Sequence, residues 1–370
     1  FDALPKEEIS YEYLFEKKKY KEAKVIEVFE KSNDRISPVC PYFGLCGGCD
    51  LMHMTESLQK NFKEEKVKEI FQKFCKEEIK VNSIVKINSY FYRNKAMFKV
   101  KKDLGYYKRK SNDLIPISSC FLVSKKINEI VNVLKTMDLS GIDEVMVRSS
   151  SLEDSMVVFY GEKRNLDLSK LKGIASTVLF QEEILYGKGF IEEKIGDFLF
   201  KISPESFFQI NSECMYLLYK QIVSYGNFKK SDVVLDYYCG TGTIGLFVSP
   251  YVKEVIGVEI NEQAVKDAYE NKKKNQVDNI SFFCMNANKF TKTGFDVVIV
   301  DPPRNGLDEK TRNHLLKINP SKIIYVSCDP VTLARDLNIL KEFYEIKEVT
   351  PFDMFPNTYH VECVCLLKLR

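Results

Sequence analysis

The sequence predicts an α/β domain in the C-terminal half of the chain, preceded by a domain built mainly from antiparallel strands. Beyond about Pro204, apolar strands alternate with helices. The strands are predicted at Val233–Tyr238, Val255–Glu259, Val297–Asp301 and Ile323–Ser327. This alternation is typical of a doubly wound parallel sheet, which binds ligands at the carboxyl ends of its strands. Between about Ile84 and Leu199 the pattern is mostly that of strands with some helix, which indicates the β domain.

The composition is that of a globular protein with room for two or three domains. The chain has 370 residues, of which 45% are hydrophobic and 29% are charged. No apolar run approaches the roughly 18–20 residues that cross a bilayer, and no signal-peptide pattern is present, so we expect no membrane association. Eleven cysteines in such a chain favour metal binding or catalysis over a disulfide framework, which predicts a reducing, cytoplasmic location.

The N-terminal region contains a strand pair, a loop and a helix. Two alternating runs, Ile9–Phe15 and Ala23–Phe29, flank Lys17-Lys18-Lys19 and predict a small antiparallel piece that is too short to be a barrel by itself. Residues 38–50 are rich in cysteine and glycine, and we call them the cysteine loop. From about Thr55 to Cys75, apolar residues recur at near-helical spacing, which predicts a helix with Thr55 as its cap.

A glycine loop follows the first predicted strand of the α/β domain. Between Asp236 and Gly245, glycines also stand at positions 240 and 242, where the absence of a Cβ lets the backbone approach a ligand closely. The spacing also matches the dinucleotide fingerprint, so NAD is an alternative cofactor. Two carboxylates favour S-adenosylmethionine instead. Asp236 is placed to face the cationic methionine moiety, and Glu259, which ends the next strand, can accept both ribose hydroxyls.

The turn Asp301-Pro302-Pro303-Arg304 follows the third predicted strand. Its prolines hold an extended, rigid wall beside the glycine loop. Related Asn-Pro-Pro-aromatic turns serve the methylation of amino groups. Here Arg304 replaces the aromatic residue, which argues against the stacking of a base for chemistry on an exocyclic nitrogen.

Two side chains near the end of the chain can supply a nucleophile and a base. Cys328 follows the strand that ends at Ser327, and Glu362 begins an apolar strand, where a carboxylate is costly to bury without a role. Uracil C5 is too electron-poor to attack a methyl sulfonium. A thiolate that adds to C6 makes C5 nucleophilic, and a carboxylate can then remove the C5 proton. The pair therefore predicts methylation of a pyrimidine carbon.

A second cysteine group has the spacing of a metal site. Cys40, Cys46 and Cys49 lie in the cysteine loop, and Cys120 lies farther along the chain. Four thiolates suit either a [4Fe–4S] cluster or tetrahedral zinc, and the spacing alone leaves both open.

The stretch from Lys86 to Lys110 has nine basic residues and one acid, Asp103. Basic side chains can neutralise phosphates while exposed rings stack on unpaired bases, which predicts RNA contact. The alternative is an ordinary strand pair with its rings turned inward. The aromatic residues of the stretch are Tyr90, Phe91, Tyr92, Phe98, Tyr106 and Tyr107.

The chain resembles the RNA uracil-C5 methyltransferase family, which makes 5-methyluridine. The matching strings occur in family order: Ser203–Asn211, the Asp236–Gly245 loop, Asp301–Arg304, Ser327-Cys328-Asp329-Pro330 and His360-Val361-Glu362. The resemblance implies that Cys328 is the nucleophile and Glu362 the base that removes the proton. It also implies a set of residues around S-adenosylmethionine and a flipped uracil, namely Gln209, Tyr238, Glu259 and Asp301. One departure is Asn288, where the family usually has an acid.

The resemblance extends to the iron–sulfur-bearing, 23S rRNA branch of the family. It implies that Cys40, Cys46, Cys49 and Cys120 hold a [4Fe–4S] cluster with a structural role. The first 37 residues resemble the later part of a TRAM domain, an oligonucleotide-binding β-barrel. We therefore divide the chain into a partial TRAM-like piece (1–37), a region with the cluster loop, the helix and an RNA-binding β domain (38–203), and a Rossmann-like methyltransferase domain (204–370).

The resulting hypothesis is a cytoplasmic, monomeric enzyme that methylates uridine C5 in RNA, with 23S rRNA as substrate and with no DNA or membrane partner. A transfer-RNA enzyme of the same family is the main alternative. A non-catalytic RNA-binding protein of the same fold would tolerate loss of Cys328 or Glu362, and both are present. An NAD-dependent oxidoreductase would leave these two residues without a role.

Overall fold

The N-terminal strands form a two-stranded sheet in a computed structural model of the chain, which describes residues 2–17, 20–162 and 165–370. Strands β1 (Glu8–Lys17) and β2 (Tyr20–Glu30) pair antiparallel, as the alternating runs predict. Lys18 and Lys19 of the predicted turn lie outside the described residues. The sheet has two strands, so this part of the TRAM resemblance remains a prediction.

Helix α1 (Glu56–Cys75) begins and ends where the sequence predicts. The Leu58 amide donates to Thr55 Oγ1 at 3.3 Å, which caps the first turn. Buried side chains recur every four residues along α1, so one face of the helix is covered. Apolar members of that face share a hydrophobic core with the C-terminal sheet rather than with the β domain. The buried residues are Gln59, Lys63, Val67, Phe71 and Cys75.

The middle of the chain is a mainly antiparallel β domain, as predicted. Its seven-stranded sheet has the order β5-β4-β3-β6-β7-β8-β9, and only β7 and β8 are parallel neighbours. A two-stranded hairpin follows it. The elements are β3 (Lys95–Val100), β4 (Leu104–Tyr107), β5 (Leu114–Pro116), α2 (Lys125–Leu134), β6 (Ile142–Ser149), β7 (Ser155–Gly161), β8 (Thr177–Phe180), β9 (Glu183–Tyr186), β10 (Ile191–Ile195) and β11 (Phe198–Ile202). Helix α2 packs on one face of the sheet, and the other face joins the core of the C-terminal half.

The C-terminal half is an α/β sheet with the strand order β14-β13-β12-β15-β16-β18-β17. Its elements are α3 (Ser212–Gly226), β12 (Val233–Tyr237), α4 (Thr243–Val248), β13 (Glu254–Glu259), α5 (Glu262–Lys274), β14 (Ile280–Cys284), β15 (Val297–Val300), α6 (Glu309–Ile318), β16 (Lys322–Ser327), α7 (Pro330–Leu340), β17 (Tyr344–Phe352) and β18 (Glu362–Leu369). The strand order changes direction between β12 and β15, which opens a crevice at their carboxyl ends.

One strand corrects the prediction of a parallel sheet. The strands from β14 to β16 are parallel, but β18 runs antiparallel to both of its neighbours, β16 and β17. The reason is the short connection of residues 353–361, which we call the β17–β18 loop. A parallel crossover needs about a dozen residues or more, so a short loop returns the chain in the opposite direction.

None of the helices within the described ranges combines the length and the apolar character that crossing a bilayer requires.

Candidate active site

A cavity of about 780 Å³ lies at the crevice predicted by the strand order. It is bordered by the glycine loop, the Asp301–Arg304 turn and the ends of β16 and β18. Its lining includes six residues predicted for catalysis or cofactor binding, namely Gln209, Tyr238, Glu259, Asp301, Cys328 and Glu362, but not Asp236. The structure therefore brings together side chains that are up to about 150 residues apart in the sequence (209 to 362).

The thiol and the carboxylate are neighbours because β18 lies between β16 and β17. In the antiparallel pairing of β16 with β18, Ser327 is opposite Cys363. Cys328 directly follows β16, and Glu362 is the first residue of β18, so the two lie at the ends of adjacent strands. Both line the cavity, and the Glu362 carboxylate is close enough to affect the pKa of the Cys328 thiol. Cys328 is half-buried and Glu362 is buried.

Burial controls the protonation of this pair. It raises the pKa of the Cys328 thiol to about 11, and the carboxylates of Glu362 and Asp301 add to the effect while the Arg304 guanidinium opposes it. Burial, followed by the Asp301 carboxylate, raises the pKa of Glu362 to about 8. Burial alone raises the pKa of Asp301 to about 7. In the free protein the thiol is therefore protonated at neutral pH and needs assistance to become a thiolate.

Replacing Glu362 with glutamine is expected to change how stability depends on pH. A carboxyl with a pKa near 8 in the folded protein and 4.5 when unfolded holds its proton more tightly in the folded state. Its contribution to the free energy of unfolding is therefore complete below pH 4.5 and is lost as the pH rises toward 8. Glutamine does not titrate, so the melting temperature of Glu362→Gln should rise relative to wild type between about pH 5 and pH 9.

The control for this measurement is Glu345→Gln, because Glu345 is exposed and the Lys347 ammonium lowers its pKa. This variant should follow the wild-type curve above about pH 6. Thermal unfolding followed by circular dichroism measures all three proteins. If the melting temperatures of Glu362→Gln and wild type depend on pH in the same way, ionisation of Glu362 does not destabilise the folded protein, and the prediction is wrong.

The glycine loop has an unusual backbone conformation at Tyr238, the first residue after β12. Tyr238 has φ +62°, which is rare for a bulky side chain, and it lines the cavity. Glycines at 240 and 242 follow with φ +53° and +78°, so the chain turns sharply between β12 and α4. Glu259 supports this turn, because its Oε2 accepts from the Gly240 amide at 3.1 Å. Strained backbone of this kind concentrates at functional sites.

The structure corrects the role expected of Asp236. Its carboxyl is fully buried beneath the glycine loop, and the residue is not part of the cavity lining, so it does not face a ligand. Burial, with the carboxylates of Asp301 and Glu259, raises the pKa of Asp236 to about 8. The sequence argument failed because Asp236 lies within β12, where alternate side chains point to opposite faces of the sheet.

The segment before α3 contributes Gln209 and one residue that sequence reasoning missed. Asn94, which precedes β3, donates its side-chain Nδ2 to Gln209 O at 3.0 Å and its backbone amide to Ile210 O at 2.8 Å, which fixes this segment. Phe207 lines the same cavity with 71% of its surface exposed, a high value for an aromatic ring. Its neighbour Phe208 is buried. The available signal was the Phe-Phe pair itself, in which only one ring can face inward.

At position 288 this chain has an asparagine where the family usually has an acid, and a nearby aspartate stands close to it. Its Nδ2 donates to Asp308 Oδ2 at 3.2 Å, and Asp308 lines the cavity together with Asn286 and Ala287. An acid is thus present on this side of the cavity, although it comes from the N-cap of α6 instead of position 288.

The four cysteines predicted to hold metal line one cavity of about 360 Å³ between the cysteine loop and the β domain. Burial, reinforced by the neighbouring thiols, raises the pKa of Cys49 well above its usual range. Across the described ranges, no three or more Cys, His, Asp or Glu residues form a group that could hold a metal ion. The lining residues concerned are Cys40, Cys46, Cys49 and Cys120.

The basic stretch is partly an ordinary strand. Alternate residues of β3 are buried, and Phe98 stacks on Tyr106 with ring centroids 5.0 Å apart. Tyr92 donates its hydroxyl to Pro356 O at 3.0 Å. Of the six aromatic residues in the stretch, Phe91 has the exposed ring. Phe98 is buried in the β-sheet core and cannot stack on a base, and RNA contact by the stretch stays a prediction.

A model of the tRNA (uracil-5-)-methyltransferase family matches residues 175–294 and 291–370. The chain is 37% identical to an uncharacterised RNA methyltransferase of Staphylococcus epidermidis, over 99% of this chain and 91% of that protein. It is 35% identical to an uncharacterised RNA methyltransferase of Staphylococcus aureus, over 100% of this chain and 92% of that protein.

Among solved structures, the chain is similar to the tRNA (uracil-54, C5)-methyltransferase of Pyrococcus abyssi in complex with S-adenosyl-L-homocysteine. The TM-score is 0.82 at 28% sequence identity, and the match covers 99% of this chain and 94% of that one.

Proposed function

Because the chain belongs to the tRNA (uracil-5-)-methyltransferase family, we propose that it methylates C5 of a uridine in 23S rRNA, with Cys328 as nucleophile and Glu362 as base. The activity at the level of the family is that of an S-adenosylmethionine-dependent RNA uracil-5 methyltransferase. The observation that carries the assignment of residues is the meeting of a thiol and a buried carboxyl at adjacent strand ends, inside a cavity of about 780 Å³. Such a volume is in the range of small-molecule sites, roughly 300–1,000 Å³.

The first proposed step is addition of sulfur to the ring. Cys328 loses its proton and forms a bond from Sγ to uracil C6, and the electrons of the C5–C6 double bond move toward C5 and O4. The thiol follows β16 and precedes the N-terminus of α7, where the helix dipole favours a negative charge. Arg304 lowers the pKa of Cys328 against the larger effect of burial, so it assists the same ionisation.

The second proposed step moves the methyl group and restores the ring. When bound, S-adenosylmethionine would supply an electrophilic methyl group: C5 would gain the methyl group as the sulfur–methyl bond breaks, and neutral S-adenosylhomocysteine would leave. C5 then carries a methyl group and a hydrogen, and Glu362 removes that hydrogen as a proton. The electrons re-form the double bond, the bond from Cys328 to C6 breaks and the thiolate leaves. The net result is one methyl group added to C5 and one proton released. With a pKa of about 8, Glu362 is mostly protonated at neutral pH in the free protein, so only its ionised fraction can accept the C5 proton. In that fraction the raised pKa makes the carboxylate a stronger base.

Four further lining residues are proposed to hold the cofactor and the base. Glu259, anchored by backbone amides at the start of α5, would accept the ribose hydroxyls. Tyr238 and Asp301 would border the methyl donor at the ends of β12 and β15. Gln209 would bind an edge of the uracil with its amide. The uridine must leave its stack to enter the cavity, at a cost of a few kcal/mol.

We also propose that Cys40, Cys46, Cys49 and Cys120 hold a [4Fe–4S] cluster with a structural role. Support comes from their common cavity. Protein purified without oxygen should be brown and contain about four irons per chain. One zinc per chain in their place would contradict the proposal.

Transfer RNA is the second candidate substrate, because the structurally similar protein from Pyrococcus abyssi is a tRNA (uracil-54, C5)-methyltransferase. The four-cysteine set of the 23S rRNA branch favours ribosomal RNA. Mass-spectrometric mapping of 5-methyluridine in both RNAs from a deletion strain distinguishes the two. Loss of a 23S rRNA modification is the expected result. Loss only from tRNA would transfer the proposal to the second substrate, and no loss from either would reject it.

A further inference from the structure

Asn357 in the β17–β18 loop joins segments that are far apart in the sequence. It is 1% exposed and has φ +65°, a backbone conformation that asparagine tolerates better than most residues. Its carbonyl oxygen accepts from the Asp50 and Leu51 amides at 2.9 and 3.0 Å. Its own amide donates to Gln59 Oε1 at 3.2 Å, and its Oδ1 accepts from Gln59 Nε2 at 3.2 Å. Its Nδ2 donates to Ser89 O at 2.8 Å.

These bonds use the main hydrogen-bonding groups of Asn357, both backbone and side chain. They connect it to the end of the cysteine loop, to α1 and to the segment that enters the β domain. Glycine at this position would keep the backbone bonds but lose those of the side chain. A residue with a Cβ and no amide would lose the side-chain bonds and adopt the left-handed conformation at a cost.

The β17–β18 loop also forms part of the active site. Phe355 lines the catalytic cavity, and Glu362 begins the strand that the loop leads into. Lys63 of α1 fixes the first part of the loop: its buried ammonium donates to Asp353 Oδ1 at 2.6 Å and to Phe355 O at 3.1 Å. Asn357 fixes the middle, between the cavity-lining ring and the carboxylate.

On the other side of Asn357 lies the cysteine loop. Asp50 and Leu51 directly follow Cys49, whose thiol lines the second cavity. The Asp50 carboxylate pairs with the Arg109 guanidinium of the β domain. A displacement of Cys49 would therefore move the Asp50 and Leu51 amides, which hydrogen-bond to the Asn357 carbonyl oxygen.

We propose that Asn357 is a positioning residue through which the cysteine loop holds the β17–β18 loop, and with it Phe355 and Glu362, in the geometry for methyl transfer. The inference rests on the proposed function of the site and adds a role for the cysteine loop in it. It assigns to the four-cysteine region an effect on the catalytic step that requires no electron transfer.

Kinetics of Asn357→Gly test the positioning role. Glycine accepts the positive φ, so the backbone bonds remain, including the one to Gln59 Oε1, while the side-chain bonds to Gln59 Nε2 and Ser89 O are lost. We expect kcat for RNA methylation to fall by on the order of 100-fold, as for a misplaced catalytic group, with little change in the Kd for S-adenosylmethionine or RNA. The matched control is Asn319→Gly, another asparagine with positive φ (+52°), which ends α6 away from the cavity. It should keep wild-type kcat.

A second variant keeps the test decisive if Asn357→Gly does not fold. Gln59→Ala removes the reciprocal partner on α1 and leaves Asn357 in place. It should also lower kcat more than it changes either Kd. Unchanged kcat in a folded Asn357→Gly, or equal losses in kcat and in binding for both variants, would overturn the proposal.

Hydrogen exchange of Cys49→Ser tests the link to the cysteine loop without any assay of methylation. We expect faster amide exchange in residues 355–361, with exchange in β12 and β15 unchanged. Unaltered exchange in 355–361 would overturn the link. If wild-type protein methylates no RNA, the proposed function fails, whereas the exchange result still decides whether the cysteine loop holds the β17–β18 loop.

Discussion

Cys328→Ala is expected to abolish RNA methylation and to leave S-adenosylmethionine binding intact. The thiol is the group in the cavity that can add to uracil C6, and without the adduct C5 stays too electron-poor to accept a methyl group. Loss of a nucleophile typically costs several orders of magnitude in kcat, up to about 10⁶-fold. We therefore expect no turnover above background in an assay of tritiated methyl transfer to RNA, while calorimetry still detects the cofactor.

The control is Cys284→Ala, because Cys284 is exposed at the end of β14 and is not part of the cavity lining. It should methylate at the wild-type rate. Turnover by Cys328→Ala within about tenfold of wild type would remove the covalent mechanism, since a nucleophile cannot be replaced by a methyl side chain at so small a cost.

Glu362→Gln is expected to stop the reaction after methyl transfer and to accumulate a protein–RNA adduct. The amide cannot accept the C5 proton, so the bond from Cys328 to C6 persists. General-base catalysis contributes about 10²–10⁴-fold, and turnover should fall by that amount. A denaturing gel of Glu362→Gln mixed with RNA and S-adenosylmethionine should show a protein band of higher apparent mass. Nuclease treatment should shift this band toward the mass of the free protein, because it digests the attached RNA.

The double variant Cys328→Ala/Glu362→Gln is the control for the adduct, because it retains the amide but has no sulfur to form the bond. It should give no shifted band. If Glu362→Gln turns over normally and no adduct forms, another group removes the proton. Asp301, whose pKa burial raises to about 7 and which lines the same cavity, would then be the next residue to replace.

Local sequence signals predicted much of the fold. Thr55 caps α1 as expected, since a hydroxyl before a helical pattern is a short-range feature. The parallel strands β12, β13, β15 and β16 were also predicted, because each is a largely apolar run in an alternating pattern of strands and helices. Strand β14 was not among the predicted strands. The reversed β18 was not predicted. Its direction follows from the short β17–β18 loop, but its place between β16 and β17 depends on pairing with both strands, which is a property of the assembled sheet rather than of residues 362–369.

In the candidate site, too, some residues could be placed from local sequence and others could not. Glu259 ends β13 and Cys328 directly follows β16, and both lie in the cavity because the carboxyl ends of the strands meet there. Asp236 was misplaced because position within a strand decides which face a side chain points to, and a shift of one residue reverses it. The bonds from Asn357 to Gln59 and Leu51 connect positions about 300 residues apart (357 against 59 and 51), so no local pattern could indicate them.

The insertion of β18 between β16 and β17 has a consequence for biosynthesis. Every other strand of that sheet precedes β18 in the chain, so a ribosome makes them first, and the edge of β16 stays open until residues 362–369 emerge. Open strand edges can pair with other chains, which exposes the nascent protein to aggregation until the last partner arrives. Glu362, the proposed base, is the first residue of that strand, so a nascent chain that ends before residue 362 lacks one member of the proposed reacting pair. We therefore expect methylation only after translation has passed this point.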